Sequence, residues 1–383
     1  MEQRSSLLES MGLIGLEKNM FKNIYKNRRV LVTGHTGFKG SWLCSWLLDL
    51  GSTIGGYSLD IPSQPSHFEA LELANHIKHY TGNICDKNSL QQVMDEFRPE
   101  IVFHLAAQSL VRKSYENPVS TFETNAIGTL NVLDCLRNSP TVAVAVLITS
   151  DKCYENVEWL WGYRENDRLG GKDPYSASKA CAEIISKTYM DSFFKEGGPN
   201  IATTRAGNVI GGGDWALDRI VPDCTRAWSE GKPVVIRNPN STRPWQHVLE
   251  PLSGYLALGQ KLFKGDVRVK NQAFNFGPHA QVNQSVGELI TEMTRFWSNA
   301  ESSFQQETNS KKPESTLLKL NCDKALQILG WEAILNFQET VRMTGEWYQK
   351  FYKHGPSSIQ KITNEQIIEY FEKASKLNLS WTQ

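Results

Sequence analysis

The 383-residue chain is short of cysteine, carries no excess of either charge and has no long apolar run. Each shortage removes a class of protein. The seven cysteines (44, 85, 135, 153, 181, 224 and 322) are odd in number and scattered, with no Cys-x-x-Cys pair. That argues against a disulfide framework and a thiolate zinc site, and fits a reducing, cytoplasmic compartment. Lysine plus arginine (41) equals aspartate plus glutamate (41), so neither a nucleic-acid footprint nor a polybasic membrane surface is expected. No apolar stretch approaches the ~20 residues of a membrane helix. Glu2, Glu9 and Glu17, in a start without a long apolar core, argue against a signal peptide. No His/Asp/Glu cluster has metal-ligand spacing, so no metal is expected. What remains is an ordinary composition, 40% apolar and 21% charged, with room for about two to three domains.

Residues 1–28 read as a helix-permissive N-terminal extension. From Arg29 the pattern changes. Val30-Leu31-Val32 is the short apolar run of a buried parallel strand. Phe38, Trp42, Leu43, Trp46, Leu47 and Leu50 then recur at helical spacing. Apolar strands follow near Thr53–Tyr57, Ile101–Leu105 and Ala143–Thr149, with helical stretches near Asn88–Phe97, Val119–Arg137 and Tyr175–Phe194. Strand-helix repetition of this kind predicts an α/β fold: a doubly wound parallel sheet of Rossmann type over 29–205. Beyond Arg205 the rhythm breaks. Residues 206–383 predict a smaller, mostly helical C-terminal lobe for substrate, interleaved with the sheet domain, with a surface loop at Gln305–Pro313.

The segment Thr33-Gly34-His35-Thr36-Gly37-Phe38-Lys39-Gly40 has glycines at relative positions 1, 4 and 7, after a strand and before a helix. Such glycines allow a tight turn and a close approach of backbone to a pyrophosphate held at the helix N-terminus. Gly34, Thr36, Gly37, Phe38 and Gly40 are therefore candidate cofactor residues. Asp60, twenty residues beyond Gly40, is placed to accept from a ribose 2′-hydroxyl, which favours NAD over NADP. Asn83 and Ile84 follow a third strand, and Ala106, Ala107 and Gln108 follow a fourth, at the sheet edge where cofactors bind.

Ile148-Thr149-Ser150-Asp151-Lys152 ends the fifth strand, and Tyr175-Ser176-Ala177-Ser178-Lys179 opens a helix with the spacing Tyr-x-x-x-Lys. Residues four apart share a helical face. A lysine beside a tyrosine favours the phenolate, so the Tyr175 phenol is expected to fall from about 10 toward neutrality. It can then take a proton from a sugar hydroxyl, with Ser150 bonded to the same hydroxyl, while hydride leaves for nicotinamide. Arg219 and Arg243 offer guanidinium groups suited to a diphosphate. Trp245 and His247 read as structural, an aromatic in a packed loop and a histidine satisfied by backbone.

The order of glycine turn, acidic residue, serine at a strand end and Tyr-x-x-x-Lys resembles the extended short-chain dehydrogenases/reductases, from about Arg29 to Trp331. Within that family, the ionisable pair Asp151-Lys152 resembles the nucleotide-sugar 4,6-dehydratases; simple epimerases usually have small residues there. The same pair, with Ser41-Trp42 after the turn, resembles the CDP-glucose branch, whereas thymidine-diphosphate-glucose enzymes have glutamate at the place of Lys152.

The resemblance implies bound NAD, also contacted by Tyr175 and Lys179, that leaves and returns to its oxidised form within one turnover. It implies Tyr175 as base at the carbon-4 hydroxyl and Asp151 as acid at the carbon-6 hydroxyl. Lys152 is either the carbon-5 base or a charged stabiliser of the enolate. Asn208 would contact the substrate diphosphate, and the helices near 119–137 and 175–194 would pair subunits into a homodimer or homotetramer. Asn83 departs from the aspartate often found near the adenine. Two alternatives stay open: a dehydratase or epimerase acting on a dTDP-, UDP- or GDP-hexose, and a non-catalytic NAD(H)-binding protein on the same fold.

Overall fold

Val30-Leu31-Val32 has no polar side chain for either face, so the strand it forms has to be covered on both sides. In the computed structural model, which describes residues 20–236, 238–297, 304–306 and 317–383, it is the centre of β1 (Arg29–Thr33), and all three side chains are fully buried. Six more strands complete the sheet: β2 (Thr53–Ser58), β3 (Lys78–Thr81), β4 (Ile101–His104), β5 (Val144–Ile148), β6 (Asn200–Arg205) and β7 (Gln272–Asn275). Their order is β7-β6-β5-β4-β1-β2-β3, and every pairing is parallel. The chain moves outward from β1 in both directions. A crevice therefore opens beyond the C-terminal ends of β1 and β4, where such sheets bind ligands.

The covering helices are α1 (Phe38–Asp49), α2 (Lys87–Phe97), α3 (Gly128–Arg137) and α4 (Pro174–Ser192). The stretch predicted as one helix at 119–137 is interrupted. A short helix, Pro118–Phe122, runs into a π turn at Glu123–Ile127 before α3 begins. The turn points the Asn125 amide at the loop after β4, where it brackets Gln108 by accepting from its N–H (2.8 Å) and donating to its carbonyl (2.9 Å).

After β6 come α5 (Ile220–Ser229) and α6 (Leu249–Phe263), the return of β7 into the sheet, and then α7 (Phe337–His354) and α8 (Ile359–Lys376). The lobe and the sheet share one hydrophobic core. Trp42 of α1 donates its indole N–H to Gly212 O (2.8 Å), and Trp347 of α7 packs on the same glycine. Glu250, buried on α6, accepts from the backbone N–H groups of Ile334 (2.9 Å) and Leu335 (2.7 Å) and from the Tyr370 hydroxyl (2.7 Å) of α8. Burial pushes its carboxyl up to about 7.

Residues 20–28 are not an appendage. Phe21 is fully buried and stacks on Trp381 at 5.1 Å, and the buried Tyr25 donates to Leu256 O (2.7 Å). Two large aromatics gain more by burial in the core than a free lead would keep. The rest of that segment, 1–19, lies outside the described residues. Of the expected loop at 305–313, Gln305 and Gln306 belong to a strand, Phe304–Gln306, paired in parallel with Val234–Ile236; the remainder lies outside the described residues. Among the described residues no helix is long and apolar enough to cross a membrane.

Candidate active site

The glycine turn is built by contact with the neighbouring strand. Gly34 sits at φ 76°, and a Cβ there would lie 2.6 Å from Ala106 N, so the turn rests on the loop after β4. A Cβ on Gly40 would lie 2.2 Å from Gly34 O. Gly37 is the N-cap of α1 and supplies no capping side chain, so the first-turn N–H groups of Phe38, Lys39 and Gly40 are left for an anion. Thr36 ties the turn to the end of β2 by donating to Asp60 O (2.7 Å), which leaves the Asp60 carboxylate exposed beside the turn. Asn83 Oδ1 accepts from Cys85 N–H (2.9 Å), and Ile84 is buried against Gly128. Ala106, Ala107 and Gln108 follow the C-terminal end of β4 and are half-buried, with Gln108 also bonded to Thr121 (3.1 Å).

The two predicted chemical segments meet. Ser150 ends β5 and begins a 3-10 turn; its hydroxyl donates to Asp151 Oδ1 (2.9 Å) and accepts from Lys152 N–H (3.3 Å). Opposite, Asp173 caps α4 by accepting from Ser176 N–H (2.9 Å), and Pro174 occupies the first turn, where a missing N–H costs nothing. The helix therefore starts where Tyr175 and Lys179 face the β5 end. Both are buried. Asn208, at φ 53°, places its amide 3.5 Å from Asp151 Oδ2. Lys152 is half-buried at the rim.

The Tyr175 phenol moves the opposite way from the sequence expectation. Burial pushes the phenol up to about 12, partly offset by the Ser150 hydroxyl; Asp151 raises it further and Arg219 lowers it. It is not drawn toward neutrality, because desolvation of a phenolate outweighs its cationic neighbours. Burial lowers Lys179 to about 8, opposed by the charge of Glu183.

Arg219 bonds Asp214 (2.8 Å) and Ser109 (3.0 Å) and is close enough to Tyr175 to bear on its charge. Arg243 lies half-buried on a two-residue strand, Thr242–Arg243, antiparallel to Gln284–Ser285. Trp245 donates to Gln284 O (3.1 Å). His247 is satisfied on one side only. Its Nδ1 accepts weakly from Leu249 N–H (3.4 Å), while Nε2 is buried beside Trp42 with no partner among the described residues, and burial holds the ring near 3 and so neutral.

Three groups escaped the sequence reading. Lys39 stands in the glycine turn, where burial and the Arg219 charge lower it to about 8 while Asp151 pulls it up. Asp214 is the partner of Arg219. Glu183 lies four residues beyond Lys179, and that helical spacing is its signal in the sequence.

The chain matches the model of the GDP-mannose 4,6 dehydratase family over residues 31–344. It is 44% identical over 337 residues to a CDP-glucose 4,6-dehydratase of Salmonella typhimurium, covering 87% of this chain and 93% of that protein. Among solved structures, an epimerase from Methanothermobacter thermautotrophicus superposes with a TM-score of 0.75 at 23% identity, covering 86% of this chain and 95% of the other. A dTDP-glucose 4,6-dehydratase from Bacillus anthracis, solved in complex with NAD, superposes at 0.72 and 21% identity, covering 87% and 100%. These two likenesses show the fold; the family rests on the model match and the curated relative. The chain belongs to the NAD-dependent epimerase/dehydratase family, the extended short-chain dehydrogenases/reductases, in the group matched by the GDP-mannose 4,6 dehydratase model.

Proposed function

We propose that this protein dehydrates CDP-glucose to CDP-4-keto-6-deoxyglucose, a step that supplies deoxysugars for surface polysaccharide, using NAD retained through turnover. The observation that carries the reading is the meeting of Ser150-Asp151-Lys152 with Tyr175 and Lys179 in a chain 44% identical to a CDP-glucose 4,6-dehydratase.

The crevice fits a dinucleotide. A Cβ on Gly37 would meet only Gly34 O, at 3.3 Å, so the space ahead of the uncapped α1 N-terminus is open. Gly34, Thr36, Gly37, Phe38 and Gly40 would hold the pyrophosphate, Asp60 the adenosine ribose, and Asn83 and Ile84 the adenine side. Ala106, Ala107, Gln108, Tyr175 and Lys179 would line the nicotinamide half. Bound there, NAD would supply the hydride-transfer chemistry between carbon 4 and carbon 6.

Tyr175 takes the proton of the carbon-4 hydroxyl, which Ser150 holds by a hydrogen bond. Cations near Tyr175 must offset the burial that opposes its phenolate: the Arg219 charge lowers the phenol, and Lys179, one helical turn further on, shares its face of α4. Asp151 protonates the departing carbon-6 oxygen. Lys152 removes the carbon-5 proton, made acidic by the adjacent ketone, and returns a proton to carbon 5 as hydride reaches carbon 6. Arg219 exchanges Asp214 for the substrate diphosphate, with Asn208 and Arg243 as further donors.

Incubating the purified protein with CDP-, dTDP-, UDP- and GDP-hexoses, and reading the ultraviolet signature of a 4-keto sugar in base, tests the proposal. Product from CDP-glucose above the other three supports it. Preference for another nucleotide reassigns the base pocket, and no product from any of them leaves a non-catalytic NAD(H)-binding protein. Exposed Val119 and Ile127 in one helical stretch and Ile184 on α4 support a homodimer or homotetramer, which sedimentation equilibrium measures. Seven free cysteines are in keeping with a cytoplasmic site of action.

A further inference from the structure

Behind Tyr175 and Lys179, on the same face of α4 one turn further on, stands Glu183, only 3% exposed. A buried carboxylate must be paired or give up its charge. This one has donors on both oxygens. Oε2 accepts from Arg205 Nη2 (2.8 Å) and Thr203 Oγ1 (3.0 Å), and Oε1 accepts from Thr149 Oγ1. These contacts keep it ionised: Arg205 and the two hydroxyls hold its pKa below the usual carboxylate range despite burial. Thr149 is the residue before Ser150, so the carboxylate joins the β5 end to the helix that carries Tyr175.

Lys179 makes no direct ion pair among the described residues. Glu183 is the carboxylate whose charge acts on it most, opposing the burial that would strip its proton. The charges that weigh most on Tyr175 are instead Asp151, Arg219 and Asp173. Glu183 thus acts on the lysine, and the four-residue spacing sets that buried lysine on the same helix face as the phenol.

We propose that Glu183 is a positioning residue for the reaction, the fixed negative charge that keeps Lys179 an ammonium and therefore able to stabilise the Tyr175 phenolate. The inference rests on the roles proposed above for Tyr175 and Lys179. A purely structural role is the competing account, in which Glu183 serves only as the counter-ion of buried Arg205, itself 4% exposed and bonded also to the Tyr154 hydroxyl (2.8 Å).

The two accounts separate in the pH profile of kcat. Glu183→Gln removes the charge and keeps the shape. If Lys179 loses its proton more easily, the phenolate is harder to form, and the rising limb of the profile moves to higher pH by about one unit, with activity at pH 7 down about tenfold. A direct effect of the lost charge on Tyr175 would move it to lower pH. Because Glu183→Gln leaves Arg205 unpaired, the double variant Glu183→Gln/Arg205→Met is measured beside it to restore neutrality in the core. The alkaline displacement in both variants supports the proposal. An unmoved or acid-shifted profile in a folded variant overturns it, as does a double variant with the parent profile. Tyr175→Phe, run in parallel, guards the premise: if that variant keeps its activity, the site reading fails, and not this inference alone.

Discussion

Asp151 leans directly on Gly207: a Cβ built on the glycine would lie 1.8 Å from Asp151 Oδ2. No side chain fits there while the Asp151 carboxylate keeps its place. The loop after β6 can come up beside the β5 end only because position 207 lacks one, and the same approach brings the Asn208 amide to 3.5 Å from that oxygen. Glycine is thus what sets the acid's place.

Gly207→Ala is accordingly expected to displace Asp151 without unfolding the sheet. A shift of about 1 Å in a reacting group costs on the order of a hundredfold in rate. Steady-state kinetics should show kcat down by about that factor with a native circular-dichroism spectrum. An unchanged kcat would mean that Asp151 does not act from the position it holds here.

Lys152 is the residue whose role chemistry, more than geometry, decides. As the carbon-5 base it must strip a proton that exchanges with solvent. Lys152→Met is expected to abolish both the 4-keto-6-deoxy product and solvent-deuterium exchange at carbon 5 of the sugar recovered from D2O, measured by mass spectrometry, while cofactor content stays at the parent level. Undiminished incorporation would leave Lys152 as a stabiliser of the enolate only.

Much of this is legible in the sequence. Val30-Leu31-Val32 with a glycine triplet behind it signals a parallel strand and a phosphate turn because both depend on local pattern. Tyr175 and Lys179 were found because four residues make nearly one helical turn. What was missed depends on the fold as a whole. The phenol's upward displacement follows from burial, which no spacing encodes. Phe21 and Tyr25 looked like part of a loose lead because their partners, Trp381 and Leu256, lie more than two hundred residues away. Asp214 and Arg219 are close in sequence, yet the bearing of Arg219 on Tyr175 appears only once the lobe meets the sheet. The strand β7, Gln272–Asn275, is short and half polar, with little apolar pattern to mark it.

Stability should fall with rising pH through a group far from the chemistry. Glu250 has its carboxyl pushed up from 4.5 to about 7 by burial, so the folded protein binds its proton more tightly than the unfolded chain does. The stabilisation this provides is complete below pH 4.5 and is lost as pH climbs through about 7, about 3 kcal/mol in all. Glu250→Gln keeps acceptance from Ile334 and Leu335 and cannot ionise. Urea unfolding between pH 5 and pH 8 should show the parent losing stability relative to Glu250→Gln. Parallel curves would place the carboxyl's titration elsewhere.

Cofactor and chemistry should separate in two variants that fail in opposite ways. A Cβ at Gly40 would meet backbone on two sides, Gly34 O at 2.2 Å and the His35 Cα at 2.7 Å, and neither can yield as a flexible side chain would. Gly40→Ala should therefore distort the turn that meets the pyrophosphate, and the purified protein should release little or no nucleotide on denaturation. Tyr175→Phe leaves that turn untouched and removes only the phenolic oxygen. It should retain the parent's nucleotide content while 4-keto product falls by roughly a hundredfold to ten-thousandfold, the range of a lost general base. Chromatography of the released nucleotide, set beside the product assay, reads both. A Tyr175→Phe protein without nucleotide would show that the tyrosine holds the cofactor more than it moves a proton, and a Gly40→Ala protein with full nucleotide would place the pyrophosphate away from the α1 N-terminus.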